Sequence, residues 1–138
     1  SDQAKTKTGE EADKLFQQAA DKYQAALKIK PDKHEALNNW GNALLDQAKT
    51  KTGEETKRLL RDAEEKLLGA ESMIPGDGAY NLACIQALRG EESKCREWLE
   101  KSLQHGYLPS RDHMMKDPDL ETVRGSEWFK SFIEKLKQ

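Results

Sequence analysis

The chain has 138 residues, of which 36% are apolar and 35% are charged, and its formal net charge is −2. Because 23 basic and 25 acidic residues nearly balance, no dedicated surface for nucleic acids or anionic membranes is expected. No apolar stretch approaches the roughly 18 residues that a membrane-spanning helix needs. Only four prolines interrupt the chain and no segment alternates apolar and polar residues over the length of a strand, so helices are expected throughout.

An exact internal duplication is the most informative feature of the sequence. The string DQAKTKTGEE occupies residues 2–11 and again residues 46–55, and scattered identities extend the match as far as Pro31 and Pro75. The period is therefore 44 residues. A fixed period in this range is typical of helical solenoids, in which one helical unit stacks on copies of itself. So exact a duplication is also compatible with an engineered origin, which the sequence does not decide.

Helix signals in the first half follow the duplicated string. Thr8 and Thr52 each lie three residues before a glutamate, the spacing of a capping box. Pro31 ends the first helical pattern, and Asp32 is a candidate cap for the next helix. The predicted helices are residues 9–29, a second helix that continues from the Asp32 cap towards residue 50, and residues 53–72.

Helix signals in the second half are shorter and less regular. The turn string at residues 75–78 introduces two helices, predicted at residues 78–88 and 91–104. Ser110 and the Asp117-Pro118 pair are plausible caps for two short helical turns, because proline fits the first helical position. Ser126 is the expected cap of a last aromatic helix at residues 127–136. A terminal segment of this kind suits the closing cap of a stacked array.

Leu37, Trp40, Gly41 and Leu44 give a pattern of large and small residues on the second predicted helix. This pattern resembles that of the tetratricopeptide repeat family. Its repeats place large and small residues in turn on two antiparallel helices, and small residues allow close helix crossing. The family's usual repeat has about 34 residues, so the 44-residue period implies ten added residues, at 46–55. The residues that carry the resemblance are Leu37, Trp40, Gly41 and Leu44; Ala19, Tyr23, Ala26 and Pro31; Ala63, Leu67, Ala70 and Pro75; and Tyr80, Cys84, Gly90, Cys95, Leu99 and Ser102.

This resemblance implies an all-α fold, namely a right-handed α-solenoid of stacked antiparallel helix pairs with a C-terminal capping helical segment. The implied single domain covers residues 1–138 and is similar to the C-terminal part of a bacterial tetratricopeptide array. Its parts are the second helix of a truncated repeat at 9–31, an extended repeat at 33–75, a repeat at 77–105 and a cap at 106–138.

The implied function is a non-catalytic scaffold that binds a peptide or protein segment in a concave groove. An asparagine carboxamide both donates and accepts hydrogen bonds, which suits an extended peptide backbone. For Asn39 and Asn81 the alternative is that they only tie adjacent helices together. By family analogy the peptide-binding residues are Glu35, Asn38, Asn39, Asn42 and Leu45 in one repeat and Asp77, Tyr80, Asn81, Cys84 and Leu88 in the next.

No motif for catalysis, a metal or a cofactor is present in the sequence. The three histidines and two cysteines lack the spacing of a zinc site, and no phosphate-binding loop or nucleophile elbow occurs. Cys84 and Cys95 are expected to be buried and reduced, with a disulfide or redox pair as the alternative. We therefore expect no enzyme, no cofactor and no nucleic-acid or membrane partner.

The alternative function is structural. The first predicted helix lacks a preceding partner helix, so its apolar face would be exposed. The chain is then either a fragment of a longer array or a module that dimerises or stacks through this N-terminal helix. The compartment is not determined by the sequence, and the cytoplasm is the working expectation.

Overall fold

The computed structural model describes residues 2–29 and 33–136, with side chains from residue 9 onward in those ranges. Every regular element in them is helical, so the all-α prediction is confirmed. The elements are α1 (Asp2–Ile29), α2 (His34–Ala48), α3 (Gly53–Met73), α4 (Ala79–Leu88), α5 (Glu92–Gln104), α6 (Arg111–Lys116), a 3-10 helix (Pro118–Leu120), α7 (Glu121–Arg124) and α8 (Glu127–Lys135).

The chain divides into two compact units, Ser1–Ile74 and Pro75–Gln138, called unit 1 and unit 2 below. Unit 1 contains α1, α2 and α3, and unit 2 contains the remaining helices. The predicted repeat boundaries, the single domain and the right-handed stacking stay predictions.

In unit 1, α2 packs against both α1 and α3. The core between α2 and α3 is made of leucines and alanines, with Leu45 and Leu67 at 2% and 0% exposure. Gly41 lets these two helices approach closely, because a Cβ atom there would lie 2.6 Å from Leu67 Cγ. The small residue that the sequence places at this position is therefore required by the helix crossing.

The two copies of the duplicated string have different structures. The first copy lies inside α1, which runs without a break through Gly9. The second copy ends α2, makes a turn and begins α3 at Gly53, whose φ of 58° is in the left-handed region. The predicted start of the first helix at residue 9 is therefore wrong, and residues 2–8 are not the remnant of a separate helix.

The predicted capping boxes are not formed. Thr8 lies within α1, and Thr52 occupies the N-cap of α3 but makes no side-chain cap hydrogen bond. Instead, Thr56 Oγ1 donates to the carbonyl oxygen of Ala48 at 3.2 Å, which ties the first turn of α3 to the end of α2. The predicted cap Asp32 lies outside the described residues.

In unit 2, α4 is the central helix and packs on α5, the 3-10 helix and α7. Two predicted caps are confirmed: Ser110 Oγ accepts from the backbone N–H of His113 at 3.1 Å, and Asp117 Oδ1 accepts from that of Asp119 at 3.0 Å. Cys84 and Cys95 are buried and free, as expected.

One link between α5 and α8 is the hydrogen-bonded carboxylate of Glu92, and a second is the ion pair of Glu100 with Lys135. Ser126 occupies the N-cap position of α8, but its hydroxyl makes no cap bond and donates to Glu92 Oε1 instead. Trp128 Nε1 donates to the same oxygen at 2.7 Å. These two hydrogen bonds lower the pKa of the Glu92 carboxyl below its ordinary value of 4.5.

Acid is expected to weaken unit 2 through Glu92. Because the pKa of Glu92 is lower in the folded than in the unfolded state, its stabilisation is present above about pH 4.5 and is lost as the pH falls through the folded-state pKa. Melting temperatures measured between about pH 3 and 6 check this for the wild-type protein and Glu92→Gln. We expect a flatter profile for the variant, and equal slopes would contradict the assignment.

Candidate functional site

The residues predicted to bind a peptide lie in two units, one set on α2 and the other on α4, except for Asp77 in the turn before α4. Four of the α2 set reach the surface: Asn38 is half-buried, and Glu35, Asn39 and Asn42 are exposed. Leu45 is only 2% exposed and belongs to the core, so it presents no surface to a ligand. A common groove for the α2 and α4 sets stays a prediction.

The α4 set is mostly engaged within unit 2. Asp77, Tyr80 and Asn81 are half-buried, Leu88 is 39% exposed and Cys84 is 1% exposed. Burial raises the pKa of the Cys84 thiol well above its ordinary value, so it stays protonated at neutral pH. Cys84 is therefore a core residue in this structure, because its side chain has no open surface.

Asp117 is the centre of a polar cluster that the sequence signals only as a helix cap. Its Oδ2 atom accepts from the Tyr80 hydroxyl at 2.5 Å, and its backbone carbonyl accepts from Arg124. The Tyr80 ring also packs edge-on against His113, with ring centroids 6.0 Å apart. Burial raises the pKa of Tyr80, which remains a hydrogen-bond donor at neutral pH.

Cys84, Asp117 and Asp119 form a group whose possible ligand atoms lie within 4.8 Å of one another. Both carboxylate oxygens of Asp117 already accept hydrogen bonds, from the Asp119 N–H and from Tyr80. The arrangement is accounted for as a helix cap joined to α4, and we assign no metal to it.

Unit 1 carries an open groove, called the Trp40 groove below, with a volume of about 380 Å³. α1, α2 and α3 each contribute to it. The apolar and rim residues that matter here are Phe16, Ala20, Trp40, Leu44, Leu59 and Lys66. A second cavity of about 350 Å³ shares Gln24 and Trp40 with the first and adds Leu27 and Lys28, so the groove follows α1 towards its C-terminal end.

Trp40 is the largest side chain of the Trp40 groove and is half-buried. Lys66 Nζ lies 4.6 Å from the centre of its ring, a cation–π contact that holds the ring from the α3 side. Charges at the rim are paired in part, with Arg58 and Asp62 3.6 Å apart and Lys66 3.3 Å from Glu65. The open surface of the Trp40 groove is mainly polar, and the mainly apolar surface lies in the adjoining cavity at Leu27 and Trp40. An apolar patch with a polar rim is the usual form of a surface that receives the apolar face of a peptide.

The Trp40 groove and the predicted binding set use opposite faces of α2. Trp40, Leu44 and Gln47 follow one another at spacings of four and three residues, as one helical face does. Asn38 and Asn42 are each two positions from Trp40, a rotation of about 200°. The sequence pattern predicts Trp40 and Leu44 as core residues. Residues that line a groove recur along a helix with the same spacing as core residues, so the pattern does not distinguish the two.

Residues 3–84, which span the helices of the Trp40 groove, match the model of a protein family described as the plant-specific mitochondrial import receptor subunit TOM20. The match covers more than half of the chain. The chain belongs to this TOM20 family. Comparison with curated proteins and with solved structures finds no match.

TOM20 membership corrects three expectations. The tetratricopeptide assignment is wrong, since the family that matches is TOM20, and the repeat and solenoid descriptions that came with it lose their support. The physical reason is that small residues recur wherever two antiparallel helices cross closely, so their spacing does not identify one family. The cytoplasmic expectation is also wrong, because the family is one of mitochondrial import receptor subunits.

The coarser functional prediction agrees with the TOM20 family. A receptor subunit for import is a protein-binding component and not an enzyme, so a non-catalytic protein-interaction role is supported. No helix among residues 2–29 and 33–136 combines the length and the apolar character needed to cross a bilayer.

Proposed function

We propose that the Trp40 groove is a receptor surface that binds a segment of a protein destined for mitochondrial import. The observation that carries this proposal is the apolar surface at Trp40 and Leu27, which adjoins the more polar part of the groove and lies inside the range matched by the TOM20 family. The proposal keeps the predicted peptide-binding role but transfers it from the Asn38 and Asn42 face of α2 to the opposite face.

The dimensions of the Trp40 groove favour a short amphipathic helix as the bound segment. Phe16 and Leu27 are the ends of its wall on α1, and eleven residues of helix span about 16 Å. This length accommodates about three turns of a bound helix, whose apolar residues at positions i, i+4 and i+7 would lie on the floor. Trp40 lies where the two cavities meet, so it would contact the middle one of these three apolar residues.

Replacement of Trp40 is the direct test of this site. A fluorescein-labelled amphipathic peptide of about 15 residues, rich in arginine and free of acidic residues, has the composition of a mitochondrial transit peptide. We expect Trp40→Ala to weaken its binding about 30-fold, because a central tryptophan typically contributes 2 kcal/mol or more to an interface. Fluorescence anisotropy titrations measure the dissociation constants.

Trp98→Ala is the matched control. Trp98 lies on α5 in unit 2, and Lys101 Nζ lies 5.2 Å from its ring centre, a pairing similar to that of Trp40 with Lys66. We expect this variant to bind the peptide like the wild type. Equal loss of affinity in both variants, or none in Trp40→Ala, would remove the Trp40 groove as the binding surface.

Exposed apolar residues on α1 support self-association as a second candidate function. Leu15 and Ile29 are large aliphatic side chains that are 66% and 88% exposed. In that case Leu15→Glu would abolish association in sedimentation velocity runs while leaving peptide affinity unchanged.

A further inference from the structure

One string of ten residues has two backbone conformations within unit 1. At residues 2–11 it is part of the uninterrupted helix α1, whereas at residues 46–55 it contains the turn between α2 and α3. The string is therefore compatible with a continuous helix. The turn at its second occurrence is imposed by contacts outside the string.

The turn of the second copy is held partly by local hydrogen bonds, which the N–H and the hydroxyl of Thr50 donate to the Gln47 carbonyl oxygen. Gly53 has a φ of 58°, and Thr56 Oγ1 donates to the Ala48 carbonyl oxygen at 3.2 Å. Lys51 Nζ donates to Asp13 Oδ2 at 2.9 Å, which fastens the turn to α1. The Lys51 and Asp13 side chains are 20% and 46% exposed, so this ion pair adds little to the preference for the turn.

We propose that the turn at residues 49–53 is a domain-swapping hinge, and that two copies of this chain exchange α3 when the hinge straightens. In the exchanged form α2 and α3 of each chain make one helix over residues 34–73, and α2 of one copy packs on α3 of the other. The surface of α2 that packs on α3 is then covered by α3 of a second copy of the chain. The contacts between α2 and α3 stay the same, but they now join two chains.

The packing of α2 on α3 places the symmetry axis of such a dimer at the hinge. Three contacting pairs are Gly41 with Leu67, Leu37 with Gly69, and Ala48 with Thr56. Their midpoints in the sequence fall at residues 54, 53 and 52. Because the helices are antiparallel, the two long helices of the dimer would cross at Gly53, where the absence of a side chain permits close approach.

The exchanged dimer would contain two composite Trp40 grooves. In each, Phe16, Trp40 and Leu44 come from one copy and Lys66 comes from α3 of the other. This inference goes beyond the proposed function, because it concerns assembly and holds whether or not the groove binds a peptide. Where both hold, one dimer presents two binding surfaces.

Gly53→Ala is the first test, with Gly9→Ala as its matched control in the other copy of the string. Alanine disfavours the left-handed backbone of the turn and favours a continuous helix, which shifts the equilibrium from turn to helix about thirtyfold in each chain. A dimer has two hinges, so we expect its association constant to rise on the order of a thousandfold. Sedimentation equilibrium measures it. Gly9 already lies inside a helix, so Gly9→Ala should leave the association constant unchanged.

Glu54→Pro tests the hinge in the opposite direction. In the turn, residue 54 is in the first turn of α3, where proline is well tolerated. In a continuous helix the same proline would clash with the carbonyl of residue 50. We expect the double variant Gly53→Ala, Glu54→Pro to lose the dimer that Gly53→Ala forms. A dimer of unchanged affinity would overturn the proposal.

A distance within one chain separates exchange from simple association. Spin labels at Asn42→Cys and Leu68→Cys occupy exposed positions, while Cys84 and Cys95 are buried. The Gly53→Ala dimer, formed from doubly labelled chains diluted in unlabelled ones, is measured by double electron–electron resonance. We expect about 39 Å, the length of 26 residues of helix. A short distance like that of the monomer, or no dimer of Gly53→Ala at millimolar concentration, would overturn the proposal.

Discussion

Asp117→Ala is expected to destabilise unit 2 by about 3 kcal/mol. The substitution removes the carboxylate that caps the 3-10 helix through the Asp119 N–H and accepts the Tyr80 hydroxyl. Loss of a helix cap typically costs about 1 kcal/mol, and loss of a hydrogen bond to a charged group costs about 2 kcal/mol. The Asp117 side chain is 11% exposed, so water replaces it poorly. Urea unfolding followed by circular dichroism measures the change in the free energy of unfolding.

Ser110→Ala is the control for the Asp117 prediction. Ser110 also accepts a cap hydrogen bond, from the His113 N–H, but it is exposed and has no link to α4. We expect a cost of about 1 kcal/mol or less. Similar losses for both variants would mean that the contact between Asp117 and Tyr80 contributes nothing beyond the cap.

Gly41→Val is expected to destabilise unit 1 by about 3 kcal/mol. A Cβ atom at this position would lie 2.6 Å from Leu67 Cγ and 3.2 Å from the carbonyl oxygen of Ala63. Leu67 is fully buried and has no free space to move into, so α2 and α3 must separate. The midpoint of thermal unfolding, followed by circular dichroism, should fall by more than about 10 °C for a domain of this size.

Gly9→Val provides the comparison for Gly41. Gly9 also lies within a helix of unit 1, but no atom lies within 4 Å of a Cβ built on it. Valine has a higher helix propensity than glycine, so a stability equal to or slightly above that of the wild type is expected. If Gly41→Val were as well tolerated as Gly9→Val, the close crossing of α2 and α3 would have to be discarded.

Local signals predicted two helix caps correctly, at Ser110 and Asp117, but not the caps at Thr52 and Ser126, whose side chains make no cap hydrogen bond. Ser110 and Asp117 cap their helices as expected, because a side chain that accepts from an N–H two or three residues ahead needs no distant partner. The sequence could not show that Asp117 also accepts from Tyr80, 37 residues earlier in the chain. The Trp40 groove was missed for the same reason, since which face of α2 stays open depends on where α1 and α3 pack.

The sequence by itself determined that the chain is helical, where most of its helices lie and that two segments are identical. Only the tertiary structure decided what those identical segments do: one continues through Gly9 as helix, and the other turns at Gly53. The ten residues have the same intrinsic preferences in both places, so the difference comes from their surroundings. At the second copy, packing of α2 on α3 offsets the cost of breaking a helix, and the partly exposed ion pair between Lys51 and Asp13 adds little.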